Sequence, residues 1–271
     1  MYTRQLFRLF SILIVVLFII GCGDETEDIE DPTAKEPKVE QLPPNYYPDT
    51  IGSRWVYRNP NGFQWAREVT GKRAIGDKVY HVFAYDPPLE EPEFDFHTTP
   101  SYRVTRNYVQ FFVGGEINQS VRKNLSANLE ELFEEEDNVK VVVNAASKND
   151  LTFFRIPPSP GQKWDVLNMQ ITGRIIFSDV NQRLDFKINW VIKGMVVRRE
   201  TVTTPAGTFP DSFKVQYSTK VTTTVEGEEE EGTAEELETV WLAPEVGMVK
   251  IETENGVTEL VEYDVKPAVV E

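Results

Sequence analysis

Residues 184–193 read LDFKINWVIK, and apolar and polar side chains alternate along most of this stretch. The intervening residues are mostly charged or amide side chains, and the apolar set is Leu184, Phe186, Ile188, Trp190 and Ile192. Successive side chains of a β-strand point to opposite faces of the sheet, so this alternation is typical of a strand with one buried face. The stretch therefore predicts a strand that borders a core.

The same pattern recurs along the C-terminal half of the chain. Residues 213–225 read FKVQYSTKVTTTV, which predicts a second strand with Phe213, Val215, Tyr217 and Val221 on one face. In the last apolar run, the residues predicted to share a face are Val257, Val261, Tyr263 and Val265. Tight hairpin turns need positive φ, and the dipeptides that favour them are Asn61-Gly62, Gly114-Gly115 and Asn255-Gly256.

One segment has helical spacing instead. Residues 126–136 begin with a capping Ser126 and carry apolar side chains at Leu129, Leu132 and Phe133. One short helix cannot cover so many one-faced strands, so their apolar faces must pack on each other or curl around a shared interior. The predicted fold is mainly β: a curved antiparallel sheet that forms a half-barrel or barrel, with at most one or two short helices.

The first 21 residues have the layout of a secretory signal peptide. Arg4 and Arg8 precede an apolar run from Leu9 to Ile20, and Gly21-Cys22 follows. Twelve helical residues rise about 18 Å, less than the ~30 Å hydrocarbon core of a bilayer. A transmembrane anchor is therefore the weaker alternative.

Ile19-Ile20-Gly21-Cys22 resembles the lipobox of bacterial lipoproteins. The resemblance implies cleavage between Gly21 and Cys22, attachment of acyl chains such as palmitate to Cys22, and anchoring in a membrane. Gly23 rather than Asp follows the cysteine, which in two-membrane bacteria favours the outer membrane, with the domain on its periplasmic side. The alternative is an ordinary signal peptide with an incidental cysteine.

Residues 22–44 are predicted to be a tether. Eight acidic residues, several prolines and few large apolar residues make this segment a solvated spacer that like charges extend. From residue 45 the composition becomes aromatic and β-branched. Residues 45–271 are predicted to form a single all-β domain, because their number suits one barrel or sandwich.

The composition argues against several classes of function. The chain has 44 acidic against 28 basic residues and a net charge of −16, whereas nucleic-acid binding starts from a basic patch. The histidines, His81 and His97, stand in no familiar ligand spacing, so neither a metal nor a cofactor is expected. No nucleophile motif is present, so no catalytic residue is predicted; a carboxylate-based hydrolase is the remaining enzymatic alternative.

Three further segments resemble a group of bacterial envelope lipoproteins of unknown function. They are a Tyr-Pro…Gly-x-x-Trp opening at residues 47–55, Thr-Pro-Ala-Gly-Thr-Phe at 204–209 and Trp-Leu-Ala-Pro-Glu-Val-Gly at 241–247. By their own residues the last two are predicted tight turns between strands. The resemblance implies a fold similar to the half-barrel lipoprotein-localisation factors, which hold acyl chains in a concave sheet. It brings no catalytic residues.

A curved sheet with an incompletely filled interior offers an apolar cavity. The candidate lining residues are Phe186, Ile188, Trp190, Val215 and Tyr217, with packing in a filled core as the alternative for each. The sequence thus predicts a non-enzymatic, membrane-anchored lipoprotein whose concave sheet binds an apolar ligand or a lipidated partner. The alternative is a structural module, or one that binds a protein or glycan through loops on one rim, with a packed interior and an exposed aromatic or charged patch. Trp65, Trp190 and Trp241 lie within strand patterns and are predicted to pack in the core rather than to stack on sugars.

Overall fold

The computed structural model describes residues 44–88, 99–114, 119, 122–123, 125, 139–146, 150–177, 182–226 and 232–267. Within these ranges the chain forms one antiparallel sheet of thirteen strands. In chain order they are β1 (Arg54–Arg58), β2 (Gln64–Ile75), β3 (Lys78–Asp86), β4 (Ser101–Val104), β5 (Tyr108–Phe112), β6 (Val139–Ala146), β7 (Asp150–Arg155), β8 (Lys163–Phe177), β9 (Gln182–Thr204), β10 (Gly207–Val225), β11 (Gly232–Ala243), β12 (Gly247–Thr253) and β13 (Gly256–Asp264).

The strands follow the order β6-β8-β9-β10-β11-β12-β13-β1-β2-β3-β4-β5-β7 across the sheet. The first and last of these described strands, β1 and β13, pair with each other near the middle of that order. The sheet is curved and not closed, with β6 and β7 as its outermost strands. The predicted mainly β class is confirmed.

Curvature brings the outermost strand β7 against the inner face of β8 and β10. The indole Nε1 of Trp164 in β8 donates to the carbonyl of Thr152 over 2.9 Å. The hydroxyl of Tyr217 in β10 donates to the carbonyl of Phe153 over 2.8 Å. Side chains rather than a ladder of backbone hydrogen bonds therefore join β7 to the opposite part of the sheet.

The predicted alternation is confirmed in β9 and β10. Phe186, Ile188 and Ile192 are buried along β9, whereas Lys187 and Lys193 are exposed. In β10 the buried positions include Phe213, Val215, Tyr217 and Val221. Since the two strands pair in register over most of their length, their apolar faces form one continuous inner surface.

The predicted shared face of the last strand is wrong. Leu260 is fully buried in β13, whereas Tyr263 is 40% exposed. Leu260 pairs with Tyr57 and Glu262 with Val56, so Val261 is an extra residue in a β-bulge. A bulge reverses the alternation on one of its sides, and the sequence pattern assumes an unbroken strand.

Two of the three predicted hairpin turns are confirmed. Gly62 and Gly256 have positive φ and connect β1 to β2 and β12 to β13. At the third position Gly114 is helical instead, and β5 pairs with β4 and β7. No hairpin forms there because β6, the next strand, pairs with β8 at the far side of the sheet.

Several sequence predictions fall outside the described residues: the signal peptide at 1–21, nearly all of the tether at 22–44, and the helix at 126–136. The helical residues that are described are Gly114, Gln119, Arg122, Lys123 and Leu125. None of the helical segments in the described ranges has the length and apolar character needed to cross a bilayer.

Candidate functional site

The five predicted ligand-lining residues share the inner face and are spread along the paired strands β9 and β10. Val215 and Tyr217 lie in the core beside Val196 and Gly194 of β9, and Phe186 lies eight residues before Gly194 on the same strand. Eight strand residues span roughly 26 Å. Phe186 and Ile188 are buried near the start of β9. Trp190, which lies between them and Gly194, is half-buried.

Aromatic rings fill the interior around Tyr217. Its ring stacks on Phe153 at 5.4 Å, and Phe153 stacks on Phe111 at 4.6 Å. Tyr47 stands edge-on to Phe153 at 5.6 Å and to Tyr102 at 5.1 Å. All of these side chains are nearly inaccessible to solvent. This part of the curved sheet therefore has the packed interior of the alternative prediction.

The segment at residues 45–48 is part of this core. Tyr46 and Tyr47 are buried, and the hydroxyl of Tyr102 donates to the carbonyl of Pro48 over 3.0 Å. Asn45 is fixed to the turn between β11 and β12, because the backbone N–H of Glu245 donates to its carbonyl over 2.7 Å. The described chain therefore enters the domain at that turn.

A buried arginine lies among these rings. Arg67 of β2 is only 2% exposed, and its guanidinium centre lies 4.7–5.4 Å from four rings, those of Tyr47, Trp55, Tyr57 and Phe83. Its Nη1 donates to the hydroxyl of Tyr47 over 3.1 Å. Burial lowers the pKa of Arg67, but the surrounding tyrosines outweigh this effect and raise it above its ordinary value. The guanidinium therefore stays charged, stabilised by ring faces and phenolic oxygens.

Sequence reasoning missed Arg67, although a signal for it exists. Arg67 stands between Trp65 and Val69 at alternate positions of β2, so the period-two pattern places all three on one face. An arginine at a strand position where the alternation calls for an apolar residue indicates a buried cation.

His81 also points inward, and its Nδ1 lies 3.7 Å from Oδ2 of Asp49. Burial lowers the pKa of His81 below its ordinary value, and Lys72 adds to this, whereas Asp49 acts in the opposite direction. Among the residues that the structure describes, no group of three or more His, Cys, Asp or Glu side chains is placed to hold a metal ion. His97 lies outside the described residues.

The outer face of the sheet carries a groove that the sequence analysis did not predict. It has a volume of about 450 Å³ and crosses β8 to β11. Leu237 at its rim is 53% exposed. The remaining lining is mostly charged or polar: Lys163, Trp164, Asp165, Lys193, Gly194, Met195, Gln216 and Ser218.

Beside the groove, directly paired residues form a row across β9, β10, β11 and β12: Arg198, Lys214, Trp241 and Lys250, here called the Trp241 row. The ammonium groups of Lys214 and Lys250 lie 5.4 and 4.8 Å from the centre of the Trp241 ring. Trp241 is buried, as predicted, but it lies on the outer face beneath these lysines. Its neighbours Val240 and Leu242 occupy the core on the opposite face.

Glu200 completes the surroundings of Trp241. It accepts hydrogen bonds from Trp241 Nε1 over 2.6 Å and from Arg198 Nε over 2.7 Å. Burial raises the pKa of Glu200, but these two hydrogen bonds and the nearby positive charges outweigh it and hold the pKa below its ordinary value. Glu200 is therefore a carboxylate that fixes the indole and neutralises Arg198.

Comparisons with known proteins give one family and two solved structures. The DUF3108-like family matches residues 120–265, which is more than half of the chain. One structure, of a presumed lipoprotein from Parabacteroides distasonis, is 18% identical, covers 83% of this chain and 100% of its own, and has a TM-score of 0.35. The other, of a presumed exported protein with a YmcC-like fold from Bacteroides fragilis, is 14% identical, covers 82% and 99%, and has a TM-score of 0.36. No curated protein matches the chain.

Proposed function

This chain belongs to the DUF3108-like family, and we propose that it is a lipid-anchored protein of the bacterial envelope that binds a partner protein at the outer face of its sheet. The observation that carries the binding proposal is the groove across β8 to β11, about 450 Å³ in volume, in which the exposed Leu237 stands beside charges of both signs. Around Tyr217, by contrast, rings fill the interior.

The anchor in this proposal is Cys22, and the support for it is the sequence at residues 1–22. Cleavage between Gly21 and Cys22 would leave the cysteine as the acylated N-terminus, with residues 23–44 as a spacer to the domain. Several acyl chains on one residue anchor firmly, since each buried methylene contributes about 0.8 kcal/mol. Gly23 supports the outer membrane, with the domain on its periplasmic side.

Metabolic labelling with palmitate tests the anchor. We expect label in the wild-type protein, none in Cys22→Ser, and accumulation of the unprocessed precursor when globomycin blocks lipoprotein cleavage. Release of an unlabelled, fully processed protein from wild-type cells would show an ordinary signal peptide instead.

The groove supports a non-enzymatic, protein-binding role through its mixed chemistry. Lys163, Lys193 and Asp165 offer charges of both signs, and the exposed Leu237 offers an apolar contact next to them. A partner suited to this lining presents an acidic side chain beside an apolar one.

Photo-crosslinking in cells tests the groove. A benzoylphenylalanine at Leu237 should give a covalent adduct with a defined partner, whereas the same group at Val79, which is equally exposed on β3, should give none. Lys193→Glu should abolish the Leu237 adduct. Lys220→Glu, on the outer face of β10 but not part of the groove lining, should leave it intact. Equal adducts from Leu237 and Val79 would exclude the groove.

A second candidate function is the binding of an apolar ligand, or of the acyl chains of a lipidated partner. The site would lie where β9 begins and β10 ends. The observation that favours it is the part of the inner apolar surface that lies beyond the ring-filled interior along β9, formed by Val143, Ile171, Ile175, Phe186 and Ile188. Native mass spectrometry of protein purified from a periplasm without detergent tests it. A lipid-sized mass that leaves on denaturation supports ligand binding, and an apo mass favours the outer-face groove.

A further inference from the structure

The Trp241 row concentrates positive charge on an acidic molecule. Arg198, Lys214 and Lys250 are side by side across four adjacent strands, in a chain of net charge −16. Paired residues on neighbouring strands are about 5 Å apart, so the three cations fall within roughly 15 Å of one another. Such a row attracts a flexible acidic segment.

Two of the three cations, Lys214 and Lys250, form no salt bridge in the described part of the chain, although the charge of Glu200 is close enough to Lys214 to interact with it. Glu200 already neutralises Arg198. Neither Lys214 nor Lys250 has a carboxylate within salt-bridge distance in the described part of the chain, although Glu259 is paired opposite Lys250 on β13. Both ammonium groups instead lie over the indole of Trp241. The ring holds them on the outer face without neutralising them.

The acidic tether leaves the domain close to this row. Asn45 is hydrogen-bonded to Glu245, which follows Trp241 by four residues and precedes Lys250 by five. At the rise of a strand, these separations amount to no more than roughly 17 Å. Glu40 precedes Asn45 by five residues and Glu36 by nine, which gives them reaches of up to roughly 17 and 30 Å.

We propose that the acidic tether, residues 24–40, docks on the Trp241 row of its own chain, with Glu40 and Glu36 pairing with Lys250 and Lys214. Each exposed ion pair contributes little, but the covalent link makes the encounter intramolecular and raises the effective concentration of the carboxylates. Docking folds the tether back against the domain and shortens its reach. Salt, or an anionic competitor, releases it.

Zero-length carbodiimide crosslinking of the purified full chain tests this proposal, because the reagent joins a lysine to a carboxylate only where they touch. At about 0.1 M salt, where the screening length is ~10 Å, we expect tether peptides joined to Lys214 and Lys250. These products should be lost at about 1 M salt, where the length is ~3 Å. The pair Lys220–Glu235, 3.0 Å apart on β10 and β11, serves as the internal control for reactivity.

Mixing isotopically labelled and unlabelled protein separates contacts within a chain from contacts between chains. Crosslinks confined to single chains support the proposal, whereas mixed-isotope products overturn it. Formation of the Lys220–Glu235 product with no tether product also overturns it, and binding of the same sample to anionic phospholipid vesicles would then assign the row to lipid headgroups.

The indole N–H resonances give a readout that does not depend on lysine reactivity. Glu36→Gln with Glu40→Gln should shift the Trp241 signal, because the lysines over its ring lose their partners. The Trp164 signal should stay in place, since that indole donates to Thr152 inside the sheet. An unchanged Trp241 signal would contradict docking.

Discussion

Arg67 is a charged side chain whose surroundings are almost entirely rings. A buried charge without a carboxylate partner is costly unless other groups compensate. Here four ring faces and the hydroxyl of Tyr47 provide the compensation. Because Tyr47 belongs to the segment that follows the tether, Arg67 also fixes that segment inside the sheet.

We expect Arg67→Met to destabilise the domain by about 2 kcal/mol. The substitution preserves much of the side-chain volume but removes the cation–π contacts and leaves the hydroxyl of Tyr47 without its donor. The free energy of unfolding in urea measures the effect. Arg58→Met, at an exposed position of β1, is the control and should change stability by less than about 0.5 kcal/mol. Equal losses in both variants would show that the rings do not stabilise the charge.

His81 makes stability depend on pH. Burial lowers its pKa in the folded state below the ordinary value of 6.5, so the unfolded chain binds the proton more tightly. Protonation therefore favours unfolding: this contribution to stability is complete above pH 6.5 and declines as the pH falls below it. Urea midpoints at about pH 7.5 and 5.5 should differ less in His81→Gln than in the wild type. An identical pH dependence in the two proteins would exclude His81 as the cause.

At Gly194 of β9 the missing side chain makes room for an indole of the neighbouring strand β8. A Cβ on Gly194 would lie 2.4 Å from the ring of Trp164, and that ring cannot move freely because its Nε1 is bonded to Thr152 of β7. Because Gly194 has no side chain, the Trp164 ring of β8 can lie against β9 and still reach β7.

We expect Gly194→Ala to destabilise the domain by about 2 kcal/mol, because the added methyl group displaces the Trp164 ring. Gly71→Ala is the matched control: it is also a strand glycine without positive φ, and a Cβ there meets nothing within 4 Å. We expect a change of less than about 1 kcal/mol for Gly71→Ala. Thermal or urea unfolding compares the two variants, and equal effects would contradict the steric argument.

Local pattern predicted the strands well because burial on one face imposes a period of two. It placed Phe186, Ile188, Val215 and Tyr217 on the inner face, where the structure has them. It could not show that Phe186 lies roughly 26 Å along β9 from Gly194, the residue paired with Tyr217, because that separation depends on strand length and register. The bulge at Val261 escaped prediction for a related reason, since it is defined by pairing with β1, far away in sequence.

The groove and the Trp241 row could not be predicted from the sequence pattern. Lys214, Trp241 and Lys250 become neighbours only through the registers of β10, β11 and β12. In sequence, Lys214 and Lys250 are ordinary outward positions of alternating strands. A surface site made of one residue per strand leaves no local motif.

Over the whole domain, the pairing scheme predicts where the backbone opens first. β9 and β10 lie inside the sheet and share the longest register, whereas β6 and β7 each have a neighbour on one side only. Hydrogen exchange followed by mass spectrometry should therefore show the slowest exchange in peptides from β9 and β10 and faster exchange in β6. Faster exchange in the paired parts of β9 and β10 than in β6 would contradict the strand order.

The pairing of β1 with β13 has a consequence for biosynthesis. A ribosome releases Trp55 and Tyr57 long before it has made Leu260 and Tyr263, the residues with which they pair. Until the last strand emerges, the nascent chain carries an unpaired β1 and exposed rings, a state prone to aggregation. Contacts between such distant parts of a chain also form slowly. This protein therefore completes its fold only after β13 has emerged from the ribosome, and a holdase that shields its first strands would raise the yield of folded molecules.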